Sequence, residues 1–534
     1  MSGHLAPLSS AGKALHALAV PHPRLRADTV QPYIGIFGVL LGSIISTLAS
    51  RVTTFGLADL RGGLHAGFDE GAWMTTALGI GQMIAGVASP YLGAIFGVRR
   101  MLLLGILAMF TASLLGPLSP NLPSFIAMQV LSGIGSGTFI PLTISFIIRS
   151  LPAGLVIYGL AIYAMNSELS QNVAASLEGW YADHWSWRWI DWQYCVMLPV
   201  MFACIWIGVP RERTNTTLLH NLDWPGVAYA TFGLGALYAA LDQGNRLDWS
   251  NNGLITGLLI AGGVITTAFI FREFVAAHPF LNIRRLLRGN LLLLLLLLAG
   301  FRFIILSTAY IIPSYLQTVQ NFRELQVGSV LLWIALPQLA IALPLAALLR
   351  RIDARWVLAA GTALIGVACW IATGLTSQWA TTDFLPSQIL QALGQSFALT
   401  ALIVMIVRSI NPVDALAIGS LLQISRLFGG EVGTAFMQTF VRVREQVHSN
   451  LVGLHVDATA GGTADRLASY AGALSARTAD MGEATARAAK LLSASVAQQA
   501  AVLSYIDGFL AAAAGSFLCL LLVALMRRPP PSPF

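Results

Sequence analysis

Charged side chains inside long apolar stretches are the first candidates for chemistry in this sequence. A charge at the centre of a bilayer costs about 3 to more than 10 kcal/mol, so such residues need a partner or a function. Three are arginines and three are glutamates: Arg51, Glu168, Glu178, Arg302, Arg426 and Glu431. The equal numbers predict mutual ion pairs among them.

The most unusual of these stretches is 154–180. Its segment 165–172 reads Met-Asn-Ser-Glu-Leu-Ser-Gln-Asn, which places Glu168, Gln171 and Asn172 on one helical face. Such a face avoids lipid, so it is expected to line a cavity or contact another helix. Burial favours the protonated form of a carboxyl group, which suits Glu168 to take up and release a proton. The alternative is a static ion pair with Arg51.

Two other polar positions extend this set. Glu178 lies ten residues after Glu168, near the predicted outer end of the same stretch. It is a second candidate for proton coupling, or it simply reaches interfacial water. Gln391 and Gln395 are one helical turn apart and could bind substrate or neighbouring helices.

The composition defines the class of protein that must position these residues. The chain has 534 residues, of which 56% are hydrophobic and 10% charged, with a mean hydropathy of +0.72. Soluble domains carry about 25% charged residues, so a soluble enzyme, a nucleic-acid binder and a disordered chain are excluded. The net charge of +7 comes from arginines in short loops, which are topology signals rather than a nucleic-acid surface.

No cofactor or metal site is predicted. The four cysteines lie in apolar runs without a CxxC pair or a nearby histidine at ligand spacing. No P-loop is present, so ATP is not expected to bind.

Apolar runs of about 20 residues predict membrane-spanning helices, and the runs are too long and continuous for a β-barrel. Fourteen are found: 33–57, 72–93, 101–118, 124–149, 154–180, 192–210, 224–242, 253–272, 290–318, 327–349, 355–376, 384–408, 414–440 and 505–526. Residues 1–32 contain no apolar core long enough for a signal peptide.

Arginine placement predicts the orientation. With the N-terminus inside, 18 basic residues fall in cytoplasmic segments and 4 in short outer loops. We therefore expect cytoplasmic tails at 1–32 and 527–534, and an even number of spans.

An internal repeat predicts the architecture. Arg99 aligns with Arg355 and Gly105 with Gly361, both 256 residues apart. Gly135 and Gly394 each precede an arginine, Arg149 and Arg408, by 14 residues. This offset moves eight spans forward and keeps orientation, which predicts two parallel six-helix repeats around an inserted pair.

The predicted organisation is an all-α polytopic membrane protein with 6+2+6 helices. Its parts are an N-terminal half at 33–210, an inserted pair at 224–272 and a C-terminal half at 290–526, which includes an outer segment at 441–504.

Several motifs resemble those of the major facilitator superfamily, specifically its fourteen-span drug:proton antiporter branch. The similar segments are Glu70-Gly-Ala-Trp73, Gly97-Val-Arg-Arg100, Leu241-Asp-Gln-Gly244 with Leu247-Asp-Trp249, Arg426 with Gly429, Gly430 and Gly433, and Val496-Ala-Gln-Gln-Ala500. The resemblance covers essentially the whole chain and implies the major facilitator fold. It also implies alternating-access export of small lipophilic or amphipathic compounds, driven by protons.

The chain departs from this branch at several positions. Ala49 stands where the first span usually carries Asp, Ala94 replaces the Asp of the cytoplasmic signature, and Gln129 replaces the arginine that opens the fourth span. The Gly-Pro motif of the fifth span reads Ala-Ala-Ser-Leu-Glu-Gly at 174–179. The usual proton-coupling residues therefore do not carry over.

The resemblance assigns further roles. It places Arg302 on a helix that lines the central cavity, where it would attract an anionic group; the alternative is a structural partner for Glu431 or for backbone carbonyls. It gives Arg99 and Arg100, after Gly97, a gating role beside plain positive-inside anchoring. Arg426 matches a family position and is expected to be structural.

The outer segment 441–504 is too polar to span a membrane. It shows no metal motif and an Ala-rich helical pattern from about Thr463 to Gln499. It is either a flexible loop or, by resemblance to inner-membrane exporters of tripartite efflux systems, a docking surface for a periplasmic adaptor protein that connects to an outer-membrane channel.

Two other functional classes compete with an exporter. A membrane-embedded enzyme lacks support, because HExxH, paired Cys/His ligands and GxSxG are absent. A sensor or an uncoupled carrier of lipids or organic acids stays open because the usual coupling residues are missing.

Overall fold

The structure is a computed structural model that describes residues 31–221, 223–276, 279–281, 290–409, 415–456, 461–475 and 481–527. Most of the predicted N-terminal tail, the predicted cytoplasmic residues Arg284, Arg285 and Arg288, and the chain from residue 528 onward lie outside the described residues.

Fourteen long helices, named α1 to α14, fall on the fourteen predicted apolar runs. Their bounds are α1 Gln31–Phe55, α2 Trp73–Phe96, α3 Val98–Leu115, α4 Leu122–Ser150, α5 Ala153–His184, α6 Trp189–Gly208, α7 Trp224–Gly244, α8 Gly253–Val275, α9 Leu291–Thr318, α10 Glu324–Leu349, α11 Ala354–Ala372, α12 Leu385–Arg408, α13 Ala415–Gly453 and α14 Met481–Ala524. Short helices at Leu57–Gly63, Phe68–Gly71, Thr216–Asn221 and Gly461–Ser475 join them, and the described residues form no β-strand.

Eleven of the described helical segments are long and apolar enough to cross a membrane. The exceptions among the fourteen are α5, α7 and α13, which carry Glu168, Asp242 and Glu431 along their lengths. A multi-pass membrane protein follows from the eleven segments, since lipid requires every backbone hydrogen bond to be satisfied within the helix. The count of fourteen spans stays a prediction.

The internal repeat has structural counterparts. Arg99 at the start of α3 donates to the carbonyl oxygen of Val209 at the end of α6 at 3.3 Å. Its sequence equivalent Arg355 at the start of α11 donates to the carbonyl oxygen of Met526, just beyond α14, also at 3.3 Å. The two contacts join equivalent helices, which is what a duplicated six-helix unit predicts; the exact domain boundaries stay predictions.

The helices form two groups, α1–α6 and α9–α14, and contacts between the groups lie near both predicted sides of the membrane. Near the cytoplasmic end, the Ser420 hydroxyl on α13 donates to the Val87 carbonyl on α2 at 2.6 Å. Toward the outer end, Gly179 on α5 packs against the backbone of Leu325 on α10. The inserted helix α7 contacts both α2 and α13.

The outer segment is more helical than its polarity suggested. The predicted spans end at 440 and begin at 505, whereas α13 continues to Gly453 and α14 begins at Met481. Alanine-rich sequence favours helix without requiring burial. The α13 extension is joined to α14 where Arg444 and His448 both contact Asp507, at 2.5 and 2.7 Å. Residues 457–460 and 476–480 of this segment lie outside the described residues.

Candidate functional site

The polar face of α5 is buried in the protein. Glu168, Gln171 and Asn172 are 2%, 4% and 3% exposed. The face is directed toward other helices, because α5 packs against α1, α10 and α12. The sequence expectation that this face avoids lipid therefore agrees with the structure.

Glu168 lies at a small cavity between the helix groups. The polar part of its wall is formed by Tyr163, Ser167, Glu168, Arg302, Gln423 and Arg426, and the rest is apolar. The volume of about 20 Å³ holds about one water molecule and no organic substrate. The site is therefore closed in this conformation, and a substrate requires helix movement to enter.

Three arginines lie near the Glu168 carboxylate, but none of them forms an ion pair with it. Neither of its oxygens has a hydrogen-bond partner among the described residues. Arg302, Arg426 and Arg51 are close enough to act on its charge. Burial favours the neutral acid and the guanidinium groups favour the carboxylate, so the balance depends on hydration and helix position.

The predicted mutual pairing of the six intramembrane charges is wrong for this conformation. Within the described residues, none of the six forms an ion pair within 4.0 Å. This also rules out the static Arg51–Glu168 pair here. The three arginines instead donate to side-chain amides or to a backbone carbonyl.

Arg51 binds the backbone of another helix. Its Nη2 donates to the carbonyl oxygen of Ala309 on α9 at 2.9 Å, and its guanidinium lies 5.1 Å from the ring centroid of Phe55. Ala309 belongs to a π turn at Ser307–Ile311. Four residues later comes Pro313, whose nitrogen has no hydrogen, so the α-helical donor for the Ala309 carbonyl is missing. Arg51 supplies a donor in its place.

Arg302 contacts the polar face of α5, as the expected cavity position allows. Its Nη1 donates to Gln171 Oε1 at 3.0 Å. The alternative of an ion pair with Glu431 is wrong among the described residues, because no such pair is present. The Nε of Arg302 is buried without a partner among those residues.

An amide network connects four helices beside this site. Gln395 on α12 donates to Gln391 at 3.2 Å and to Thr308 on α9 at 3.0 Å. Its Oε1 accepts from Asn172 on α5 and Gln338 on α10, both at 3.3 Å. In this conformation the glutamines bind neighbouring helices, one of the two roles expected from the sequence.

Glu178 does not reach interfacial water, in contrast to one expectation. The residue is 0% exposed, and neither carboxylate oxygen has a hydrogen-bond partner among the described residues. Asp59, Asp183 and Glu324 are near enough to act on it. It forms part of an acidic cluster at the outer end of α5 and α10.

The expected gating residues contact their own helix group. Gly97 adopts a φ of +95°, a conformation that other residues rarely adopt. Arg99 binds the end of α6 and stacks 4.6 Å from the Trp206 ring centroid, and Arg100 donates to Thr214 at 2.8 Å. Lacking the family's usual Asp acceptor, Arg99 uses a helix C-terminal carbonyl.

Arg426 and Glu431 face different surroundings on α13. Arg426 lines the central cavity, and its Nε donates to Gln423 at 3.3 Å. Glu431 lies near Tyr238 and Asp242 of the inserted helix α7. Glu431 Oε1 is buried without a partner among the described residues.

Sequence reasoning missed two acidic residues and one amide. Asp191 is 4% exposed in α6, with Gln129 at 3.5 Å, and Asp242 accepts a hydrogen bond from Thr76 on α2. Asp191 stands just outside the predicted span 192–210 and Asp242 is the last residue of the span 224–242, so neither was counted among the intramembrane charges. Gln338 follows Pro337 inside an apolar run, and its polarity was the available signal.

A larger cavity of about 730 Å³ opens between the outer parts of α9, α13 and α14. Tyr310 of the π turn and Tyr505 of α14 contribute to its wall. The π turn therefore lies between this outer cavity and the amide network.

Known proteins are similar to this chain in sequence and in fold. The Major Facilitator Superfamily profile matches residues 39–336. The probable multidrug resistance protein EmrY of Escherichia coli K12 is 24% identical over 78% of this chain and 81% of its own. The fatty acid resistance protein FarB of Neisseria gonorrhoeae is 22% identical over 78% and 82%. The structure of the human organic anion transporter MFSD10 superposes with a TM-score of 0.54 at 13% identity, covering 93% of this chain and 100% of that one.

These similarities agree with the all-helical architecture and with the duplicated contacts at Arg99 and Arg355. The matched family consists of transporters rather than enzymes. The chain belongs to the major facilitator superfamily.

Proposed function

We propose that this protein is a secondary active exporter that exchanges protons for small lipophilic or amphipathic compounds. The compounds leave from the cytoplasm or the inner leaflet of a bacterial inner membrane, with both termini in the cytoplasm. The observation that carries the proposal is Glu168, a buried and unpaired carboxyl at a closed cavity between two helix groups. The named efflux relatives support the same reading.

Alternating access requires that the contacts at the two ends break in turn. The α2–α13 contact at Ser420 and the α5–α10 contact at Gly179 close opposite ends in this conformation. Opening either one would hydrate the central cavity from one side. A proton could then bind Glu168 from one side and leave to the other.

Proton exchange at Glu168 would alter the charge beside Arg302, Arg426 and Arg51. When Glu168 is ionised, the cavity is less cationic and binds cationic or neutral amphipathic compounds. When a proton neutralises Glu168, the cavity becomes more cationic and releases those compounds, as exchange requires. Gln171, Asn172, Gln391 and Gln395 then supply hydrogen-bonding groups once helix movement separates them.

A second candidate function is uncoupled carriage of lipids or organic acids. It is favoured by Ala49 and Ala94, which stand where the related antiporters usually carry Asp. A transport-fold sensor has the same support. Both differ from the exporter in their energy coupling.

Reconstituted vesicles separate these functions. Three fluorescent probes cover the charge classes: ethidium, N-phenylnaphthylamine and a dansylated fatty acid. An imposed pH gradient should drive uphill accumulation of at least one probe, and a protonophore should abolish it. Downhill movement alone would identify an uncoupled carrier, and binding without movement would identify a sensor.

The outer helices lead to a proposal about partners. The extensions of α13 and α14, with the helix Gly461–Ser475, would dock a periplasmic adaptor protein that continues to an outer-membrane channel. Leu451 of the α13 extension and Leu454, just beyond its end, are 51% and 78% exposed, which provides apolar contact area. Crosslinking from residue 454 in intact cells tests this proposal.

A further inference from the structure

The inserted helix α7 carries a polar face that nothing in the proposed transport cycle yet uses. Tyr238, Asp242 and Arg246 follow one another at four-residue spacing, and Gln243 flanks them. Residues at this spacing lie on one side of a helix. The face runs from the middle of α7 to just beyond its outer end at Gly244.

Hydrogen bonds connect the outer part of this face to the protein surface. Arg246 forms an ion pair with Asp69, whose side chain is 78% exposed. Its Nε donates to Gln243 Oε1 at 2.8 Å. Gln243 Nε2 donates to the Thr76 hydroxyl, which in turn donates to the Asp242 carboxylate. The chain of polar contacts from solvent to Asp242 is therefore continuous.

The inner part of the face meets α13. The Tyr238 hydroxyl and the Asp242 carboxyl group both lie close enough to Glu431 to act on its charge. The Tyr238 hydroxyl packs against Gly79 of α2, which leaves no room for a Cβ there. This packing holds the hydroxyl between α2 and α13.

Glu431 lies on the same helix, α13, as Arg426 of the central cavity. It stands five residues after Arg426, about 7.5 Å along the helix axis and about 140° round it. Arg426 and Glu168 line the same cavity, which has room for about one water molecule. The charged and titratable groups that face the two carboxyls are thus Arg246 and Tyr238 from α7, and Arg426 from α13 faces Tyr238.

We propose that Asp242 and Glu431 form an outer proton-binding pair, and that the polar face of α7 delivers protons from outside to Glu168. The proposal rests on the proposed proton-coupled function and gives the inserted helix a role in it. A proton from solvent binds the Asp242 carboxylate and converts it to the acid. It then passes by the Tyr238 hydroxyl to Glu431, and through water to Glu168. The Asp242 and Glu431 carboxyl groups return to carboxylates. The Tyr238 phenol gives one proton and takes another, so it ends as a neutral hydroxyl, and one proton has moved inward without any other chemical change.

A purely structural reading predicts different behaviour. In that reading the face only attaches α7 to α2, through the Thr76–Asp242 hydrogen bond. Asp242→Asn keeps an acceptor for the Thr76 hydroxyl and removes only the titrating group. Thr76→Val removes that hydrogen bond and keeps the carboxyl group. The two variants therefore separate proton binding from attachment.

The test uses right-side-out vesicles from cells that express the full chain, with the inner pH clamped and the outer pH varied. Dicyclohexylcarbodiimide reacts with protonated carboxyl groups in apolar surroundings, and mass spectrometry reports its attachment at each residue. In the unmodified protein, labelling of Asp242, Glu431 and Glu168 should rise as the outer pH falls. Asp242→Asn should abolish the outer-pH response at Glu431 and Glu168, whereas Thr76→Val should keep it.

Three results would overturn the proposal. The first is an absence of labelling at Asp242 and Glu431 at low outer pH. The second is a Glu431 whose labelling still follows the outer pH in Asp242→Asn. The third is a Thr76→Val protein that loses this response as fully as Asp242→Asn does. Failure of the proposed function is distinguishable, because uphill accumulation of the fluorescent probes would then be absent while Asp242, Glu431 and Glu168 still followed the outer pH. Unfolding temperatures of both variants verify that each protein is folded.

Discussion

The guanidinium of Arg51 on α1 donates a hydrogen bond to the backbone carbonyl of Ala309 on α9, across 258 positions of sequence. The bond joins the first helices of the two predicted halves at a π turn. Its cause is local, because Pro313 deprives that carbonyl of its α-helical donor. π turns are frequent at functional sites, and this one lies between the amide network and the outer cavity.

The first prediction concerns the stability of Arg51 and Glu168 variants. Arg51→Gln should destabilise the protein by about 1–3 kcal/mol, because the Ala309 carbonyl loses its side-chain donor. Since no ion pair joins Arg51 to Glu168, adding Glu168→Gln should not rescue it. Because Arg51 acts on the charge of Glu168 without pairing to it, the coupling between the two changes should stay below the roughly 3–5 kcal/mol cost of breaking a buried ion pair.

Unfolding can be followed by a thiol-reactive dye, because Cys369 and Cys519 are buried until the helices separate. A double variant that regains the stability of the unmodified protein would contradict the structure. That outcome would show that the two side chains pair directly.

The second prediction concerns Pro313. Pro313→Ala restores the missing backbone N–H, so the Ala309 carbonyl should bind within α9 and depend less on Arg51. In this background Arg51→Gln should cost less stability than in the unmodified protein. The double-mutant cycle measures the difference, which we expect at about 0.5–2 kcal/mol, the scale of interhelical hydrogen bonds in membranes. An equal loss of stability in both backgrounds would show that the Arg51 hydrogen bond does not compensate for the N–H group that Pro313 lacks.

The third prediction concerns coupling. Glu168→Gln preserves shape and removes titration, so pH-driven accumulation should disappear while probe binding and downhill exchange persist. Transport in vesicles with and without the gradient gives the comparison. Asp465→Asn, at an exposed position of the helix Gly461–Ser475, is the matched control and should accumulate normally. Normal accumulation by a folded Glu168→Gln protein would transfer the coupling role to Glu178 or Glu431.

The fourth prediction concerns closure at the outer side. A Cβ at Gly328 on α10 would lie within 2.4–2.7 Å of Ser176 atoms on α5, two of which belong to the backbone. Gly328→Ala should therefore force the outer ends apart and shift the population toward the outward-open state. A cysteine introduced at Gln338 should react faster with an impermeant thiol reagent added outside. Gly263→Ala on α8 has open space around its Cβ and should leave the reaction rate unchanged.

The fifth prediction concerns the outer helices. Leu454→Glu adds a charge to an exposed apolar position without touching a membrane helix core. If an adaptor docks there, export by cells should fall while transport by purified vesicles stays constant. Parallel measurements in cells and vesicles test this, with Gly263→Ala on α8, which lies outside the outer helices, as the control. Equal export by cells would leave the extension without a docking role at this residue.

Much of the helical framework was predictable from the sequence, because lipid leaves a long apolar segment no alternative to helix. The same rule predicted that the polar face of α5 would be buried, since Glu168, Gln171 and Asn172 at helical spacing cannot face hydrocarbon. The duplication was visible as well. Arg99 and Arg355 recur at one offset and bind the ends of equivalent helices.

What each buried charge contacts was decided only by the tertiary structure. Counting three arginines and three glutamates suggested pairs, but a count carries no information on helix rotation or crossing, and the six charges form no ion pair among the described residues. Arg51 instead reaches a carbonyl freed by a proline on a distant helix, and Asp242 meets Thr76 across 166 positions. Periodicity along one helix determines which face is polar, whereas the partner of that face depends on how the helices pack in three dimensions.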